Sequence, residues 1–149
     1  MFKAYCYNFN YTLQNYDIEG LNNIKEEEIV KIIKPFMNAS IFLLPLRNIS
    51  NSIFENNWVK TLKLKIDYKN KIFIEITEFI PIGIYFFNNS KYYFNSKGKI
   101  IDYVNFENYN NNELITFVGE SSTYNAFSLL EILHKYKKNF DKKIIQATF

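Results

Sequence analysis

Residues 58–85, WVKTLKLKIDYKNKIFIEITEFIPIGIY, carry the clearest alternation of apolar and polar positions in the chain. Leu62, Leu64, Ile66 and Tyr68 fall on one side and Lys63, Lys65 and Asp67 on the other, the period of a half-buried strand. Ile72, Ile74 and Ile76 repeat the pattern against Phe73, Glu75 and Thr77. The polar Lys69-Asn70-Lys71 between the two runs can take turn geometry, so the stretch predicts a β-hairpin that ends at a proline-marked boundary, Pro81.

Upstream, residues 11–19 predict a short strand closed by Gly20. Residues 1–10 read as a strand or a lead-in. Helical spacing follows in Ile29, Ile32, Ile33 and Phe36, with Asn23 as a candidate cap, acidic residues in the first turn where the helix dipole favours them, and Pro35 near the end. A connector over 37–46 leads to a second helix with Leu46, Ile49, Ile53 and Phe54 on its apolar side, ending near Asn56-Asn57. The order strand, helix, helix, strand, strand predicts two helices on a small three-stranded sheet.

Beyond Pro81 the pattern changes to short strands. Runs at 84–87 and 91–94 flank Asn88-Asn89-Ser90 as a hairpin, and Ser96-Lys97-Gly98-Lys99 turns into Ile100-Ile101. Residues 105–113 are polar and of low complexity. An apolar run at 114–118 stops at Gly119, and Ser121 or Ser122 can cap a helix with Ala126, Leu129, Leu130, Leu133 and Tyr136 on its inner face and Lys135, Lys137 and Lys138 at its end. Residues 142–149 read as a final strand. The fold class is therefore α+β.

Composition narrows the class without assigning chemistry. A chain of 149 residues that is 48% hydrophobic and 19% aromatic can build a core for one domain or two small ones. A formal charge of +3 is mild for a nucleic-acid binder. Cys6 stands alone, so no disulfide forms within the chain, and no run reaches the length of apolar residues that a spanning helix needs. Residues 1–10 lack the pattern of a signal peptide.

No catalytic, metal or cofactor constellation emerges. His134 is the single histidine and reads as a surface or boundary residue. Cys6 with His134 as a thiol and base pair has no flanking signature. Glu75 and Glu78, three apart on a strand, face opposite ways and cannot share acid–base work. Gly20, Gly83, Gly98 and Gly119 are isolated, so no phosphate loop exists. Lys63, Lys65, Lys69 and Lys71 beside Tyr68 are the only nucleic-acid-like feature, and lysine alternation on a strand is more often a solvated face that guards an edge.

Several residues in this order resemble the FtsQ/DivIB family of bacterial cell-division proteins, whose first extracytoplasmic module is a POTRA domain. They are Ile18-Glu19-Gly20 with Asn23, Ser40-Ile41-Phe42, Trp58-Val59-Lys60, and Glu78-x-x-Pro81 followed by Tyr85. Downstream, Tyr92-Tyr93-Phe94, Lys97-Gly98-Lys99-Ile100-Ile101 and the run 114–119 are similar to the start of the family's β domain. The resemblance implies a POTRA-like domain over 11–81 after a lead-in over 1–10, then part of an FtsQ-type β domain over 82–149. Gly20, Trp58, Val59, Glu78, Pro81, Gly98 and Gly119 would be its structural motif positions.

It further implies a non-enzymatic scaffold without cofactor, membrane-anchored and facing the periplasm, that recruits divisome partners of the FtsB and FtsL type and binds no nucleic acid. Lys143, Ile144, Ile145, Gln146, Ala147 and Thr148 form the candidate partner-binding edge, by β-augmentation. Three departures stand out: no transmembrane helix precedes the POTRA-like region, the β domain lacks its later strands, and Phe79 and Lys69-Asn70 replace the family's usual arginine and proline. The alternatives are a POTRA module of an outer-membrane assembly or secretion protein and, from another class, a small nucleic-acid-binding α+β domain.

Overall fold

The computed structural model describes residues 11–67, 69–104, 114–136 and 144–149. Within it two compact units follow one another, the first closing at Glu78 and the second opening at Phe79.

The first unit contains strand β1 (Asn15–Glu19), helix α1 (Glu26–Ile33), helix α2 (Leu46–Phe54), strand β2 (Val59–Asp67) and strand β3 (Lys71–Glu78). β3 lies in the centre, antiparallel to β2 and parallel to β1. Ile72, Ile74 and Ile76 of β3 are buried, whereas Phe73 is half-buried and Glu75 and Thr77 are exposed. The alternation read from the sequence thus separates a core face from an open face. Ile29 and Ile33 of α1 and Ile49 and Ile53 of α2 complete the core with Leu13, Ile24, Ile41, Trp58 and Val59. Each such isoleucine removed from water is worth roughly 1.5–3 kcal/mol, so the core dominates the unit's stability.

Several local expectations change. The run predicted as one strand over 11–19 divides: Leu13 donates its N–H to the Ala39 carbonyl and accepts from Asn38, so 11–13 binds the inter-helix connector, and only Asn15–Glu19 joins the sheet. Asn23 does not cap α1. The N-cap is Lys25, which makes no side-chain capping bond, and Glu26, Glu27 and Glu28 supply the favourable charge of the first turn. After α1, Pro35 sits in a 3₁₀ turn, Lys34–Phe36, and the connector holds a second one, Ile41–Leu43. α2 ends two residues earlier than its pattern predicts, and Phe54, expected inside, is 47% exposed. Tyr68 lies outside the described residues.

Among the described residues, the second unit is a five-stranded sheet with one helix. Strand β4 (Gly83–Phe87) pairs antiparallel with β5 (Ser90–Phe94), which pairs with β6 (Ile100–Tyr103). The β4–β5 turn is Asn88-Asn89 alone, with Ser90 already in the strand; both asparagines have positive φ (48° and 59°), the geometry of a tight hairpin turn. Asn95, buried, organises the next turn by accepting from the N–H groups of Lys97 and Lys99 through its side-chain oxygen. Strand β7 (Thr116–Val118) returns parallel to β4, helix α3 (Ser122–Tyr136) packs on β4 and β7, and strand β8 (Gln146–Thr148) adds parallel to β7. The sheet order is β6-β5-β4-β7-β8.

Phe94, Phe117 and Ala126 form the centre of this core, with the two rings edge to face at 5.5 Å. Tyr136, predicted on the inner face of α3, is 46% exposed. Neither serine caps the helix through a described side-chain bond: the Ser122 hydroxyl is buried without a hydrogen-bond partner among the described residues.

Candidate interaction surface

Two places gather the residues singled out by the sequence. The first is structural and centres on Glu78, the last residue of β3. One carboxylate oxygen accepts the backbone N–H groups of Asn22, Asn23 and Ile24 at 2.8, 3.1 and 3.0 Å. The other accepts the Asn23 backbone N–H and its side-chain amide, both at 2.9 Å. Burial raises the carboxyl's pKa, but the donors of Asn22, Ile24 and Asn23 together outweigh it and hold the group below its ordinary value. Glu78 thereby fixes the loop that enters α1. Gly20 begins that loop with φ +86°, and a side chain there would collide with the Ile76 carbonyl. The sequence marks Glu78, Gly20 and Asn23 as motif positions without showing that they are one assembly.

Trp58, buried between α2 and β2, donates its backbone N–H to the Asn56 side chain at 3.0 Å, and Val59 beside it is buried. Pro81 lies half-buried in the stretch between β3 and β4, and Gly98 sits in the turn before β6.

The second place is the β8 edge. β8 ends the sheet, bonded to β7 through Thr116 N–H to Ile145 O at 2.9 Å and Phe149 N–H to Val118 O at 3.0 Å. In a parallel ladder, alternate residues direct both backbone groups to the same side. Ala147 therefore bonds toward β7, and Gln146 and Thr148 present their N–H and C=O groups outward, with no ladder partner among the described residues. Ala147 packs on the Phe94–Phe117 core while Ile145 is 72% and Phe149 50% exposed. Gly119, with φ +115°, lets the chain after β7 pass close to the Phe149 carbonyl, where a side chain would clash. Of the candidate partner-binding residues, Ile144, Ile145, Gln146, Ala147 and Thr148 lie along this edge, and Lys143 falls outside the described residues, as does Cys6.

His134 is exposed and lines a shallow cleft of about 440 Å³ with Ile82, Phe127, Leu130, Glu131 and Lys135. Among the described residues no group of three His, Cys, Asp or Glu side chains could hold a metal, and no helix is long and apolar enough to cross a membrane. Glu75 and Glu78 do face opposite sides of β3, one in solvent and one in the core.

A parallel-plus-antiparallel three-stranded sheet bearing two helices defines the class as a POTRA-type α+β domain, and residues 12–79 match the POTRA domain family of FtsQ type. The similarity continues past that domain. The chain is 30% identical over 137 residues to the cell division protein FtsQ of Rickettsia typhi, covering 91% of this chain and 50% of that protein. It is 31% identical over 132 residues to FtsQ of Rickettsia bellii, covering 89% and 48%. Residues 12–79 are thus similar to the FtsQ-type POTRA domain, and the chain, similar to FtsQ proteins along most of its own length, spans about half the length of the relatives it matches.

Proposed function

We propose that this chain is a non-enzymatic recruiting module of the cell-division machinery, a POTRA-like domain over 11–81 and part of an FtsQ-type β domain over 82–149. Its β8 edge takes up an extended segment of a septal partner of the FtsB or FtsL type at the periplasmic face of the inner membrane. The observation that carries this reading is the position of β8: it closes the sheet with the backbone of Gln146 and Thr148 directed outward, the arrangement that accepts an added strand. Main-chain bonds would supply affinity, and the exposed Ile145 and Phe149 would supply apolar side-chain contact. Interleaving of Lys63 and Lys65 with Asp17, Glu19 and Glu75 on the open face of the first sheet weighs against the nucleic-acid alternative, which needs a continuous basic surface.

The test is binding of the purified chain to the soluble segments of such partners. Thr148→Pro removes an outward donor without touching the β7 ladder, and Pro in an edge strand is tolerated on the solvent side. Binding that is lost in Thr148→Pro, with the fold intact, supports edge pairing. Full-strength binding by the variant, or none by the natural chain, overturns it.

A further inference from the structure

The open face of the first sheet has a charge layout that complements itself. In two neighbouring cross-strand rows β1 contributes acid, β3 the middle residue and β2 a lysine: Asp17, Phe73 and Lys65 form one, and Glu19, Glu75 and Lys63 the next, while the row on the other side of Phe73, Asn15, Lys71 and Asp67, has its acid on β2. Phe73 stands half-buried at the centre with the Lys71 ammonium 4.6 Å from its ring centroid. Lys71 pairs with Asp17 and Lys63 with Glu75, each at 2.8 Å, and among the described residues Lys65 and Glu19 have no ion-pair partner. With Asp67 of the Lys71 row, four acids and three lysines interleave on this face, although the chain as a whole is at +3.

A partner of uniform charge would meet repulsion on one flank. A second copy does not. A two-fold axis parallel to the strands exchanges β1 with β2 and permits no slide along them, so every row faces itself reversed. Asp17 then lies over Lys65 of the second copy, Glu19 over Lys63, and Phe73 over Phe73. The row order survives the roughly 30° rotation between aligned, packed sheets, because the displacement it causes is within reach of a lysine stem. Glu75 and Lys71, which would otherwise each meet their counterpart near the axis, are already neutralised within their own copy by Lys63 and Asp17.

The geometry points to this face as an isologous contact between two copies of the chain, independent of the β8 edge and of any partner there. Such a contact, made of exposed charge pairs around one aromatic, is weak and salt-sensitive. Sedimentation equilibrium of the chain from about 10 µM to about 1 mM, in the range where weak contacts become populated, should show a monomer–dimer equilibrium that salt shifts toward monomer. Lys65→Glu and Asp17→Lys should each weaken the dimer by about tenfold or more, since each puts two like-charge pairs in the interface. Mixed in equal amounts, the two variants should associate at least as well as the natural chain. Glu19→Lys mixed with Lys63→Glu should behave likewise, which tests the second row separately. Unaltered thermal melting of each variant excludes unfolding. A natural chain that stays monomeric at low salt, single variants that still dimerise, or mixtures that do not associate would each overturn the assignment.

Discussion

Glu78 concentrates more hydrogen bonds on one side chain than any other described residue, and its chemistry sets two expectations. A carboxylate that accepts several N–H donors in a buried site contributes about 1.5–3 kcal/mol, because the donors lose their partner with it. Glu78→Gln should lower stability at neutral pH by that amount. Its pKa is depressed in the folded chain, so the contribution is fully present above the unfolded value of about 4.3 and is lost as pH falls through the lower folded value. Thermal melts of both proteins across that window should therefore converge in acid. A gap that stays constant down to pH of about 3 would contradict the role given to the carboxylate. Trp58→Ala removes a large buried aromatic and should cost about 3 kcal/mol or more in chemical denaturation. Ser122→Ala runs the other way: deleting a buried hydroxyl that lacks a partner should raise stability by about 0.5–1 kcal/mol, and a loss of that size would mean the hydroxyl is satisfied. Of these residues the sequence marks Glu78 and Trp58 as motif positions, but the partners of Glu78 stand 54 to 56 positions away, and no periodicity reports so distant a contact.

At the scale of elements, legibility followed the contrast between faces. β2 and β3 were plain because one face is core and the other water, which writes a period of two into the side chains. α2 was plain in its middle and wrong at its end, since Phe54, one residue after the fully buried Ile53, is turned about 100° away from it around the helix axis. Tyr136, at the end of α3, is likewise exposed. The division of 11–19 was hidden, because pairing of 11–13 with the connector uses backbone groups and leaves no mark on side-chain pattern. β8, three residues long, was visible only as a final strand over 142–149; its place at the end of the sheet comes from topology. Thr148→Pro is accordingly a test of that place, and unchanged sheet content by circular dichroism should accompany its loss of binding.

For the whole molecule, the two proposed contacts fall in different units. The POTRA-type unit offers a self-complementary sheet face, and the β unit offers an edge. The parallel β1–β3 pairing that creates the first of these was not legible, since strand order depends on how two helices pack a hairpin and not on the strands' own residues. The fold class and the resemblance to FtsQ were legible because Ile18-Glu19-Gly20, Trp58-Val59-Lys60 and Glu78-x-x-Pro81 follow one another in the order strand, helix, helix, strand, strand, and the FtsQ-type POTRA model matches that same stretch, residues 12–79. The most direct measurement of partner recruitment is backbone amide hydrogen exchange of the chain with and without a soluble septal partner segment. A strand added at β8 predicts slowed exchange at Gln146 and Thr148, with the Glu78-bound amides of Asn22 to Ile24 unaffected. Complex formation that leaves Gln146 and Thr148 exchanging as fast as in the free chain would contradict it.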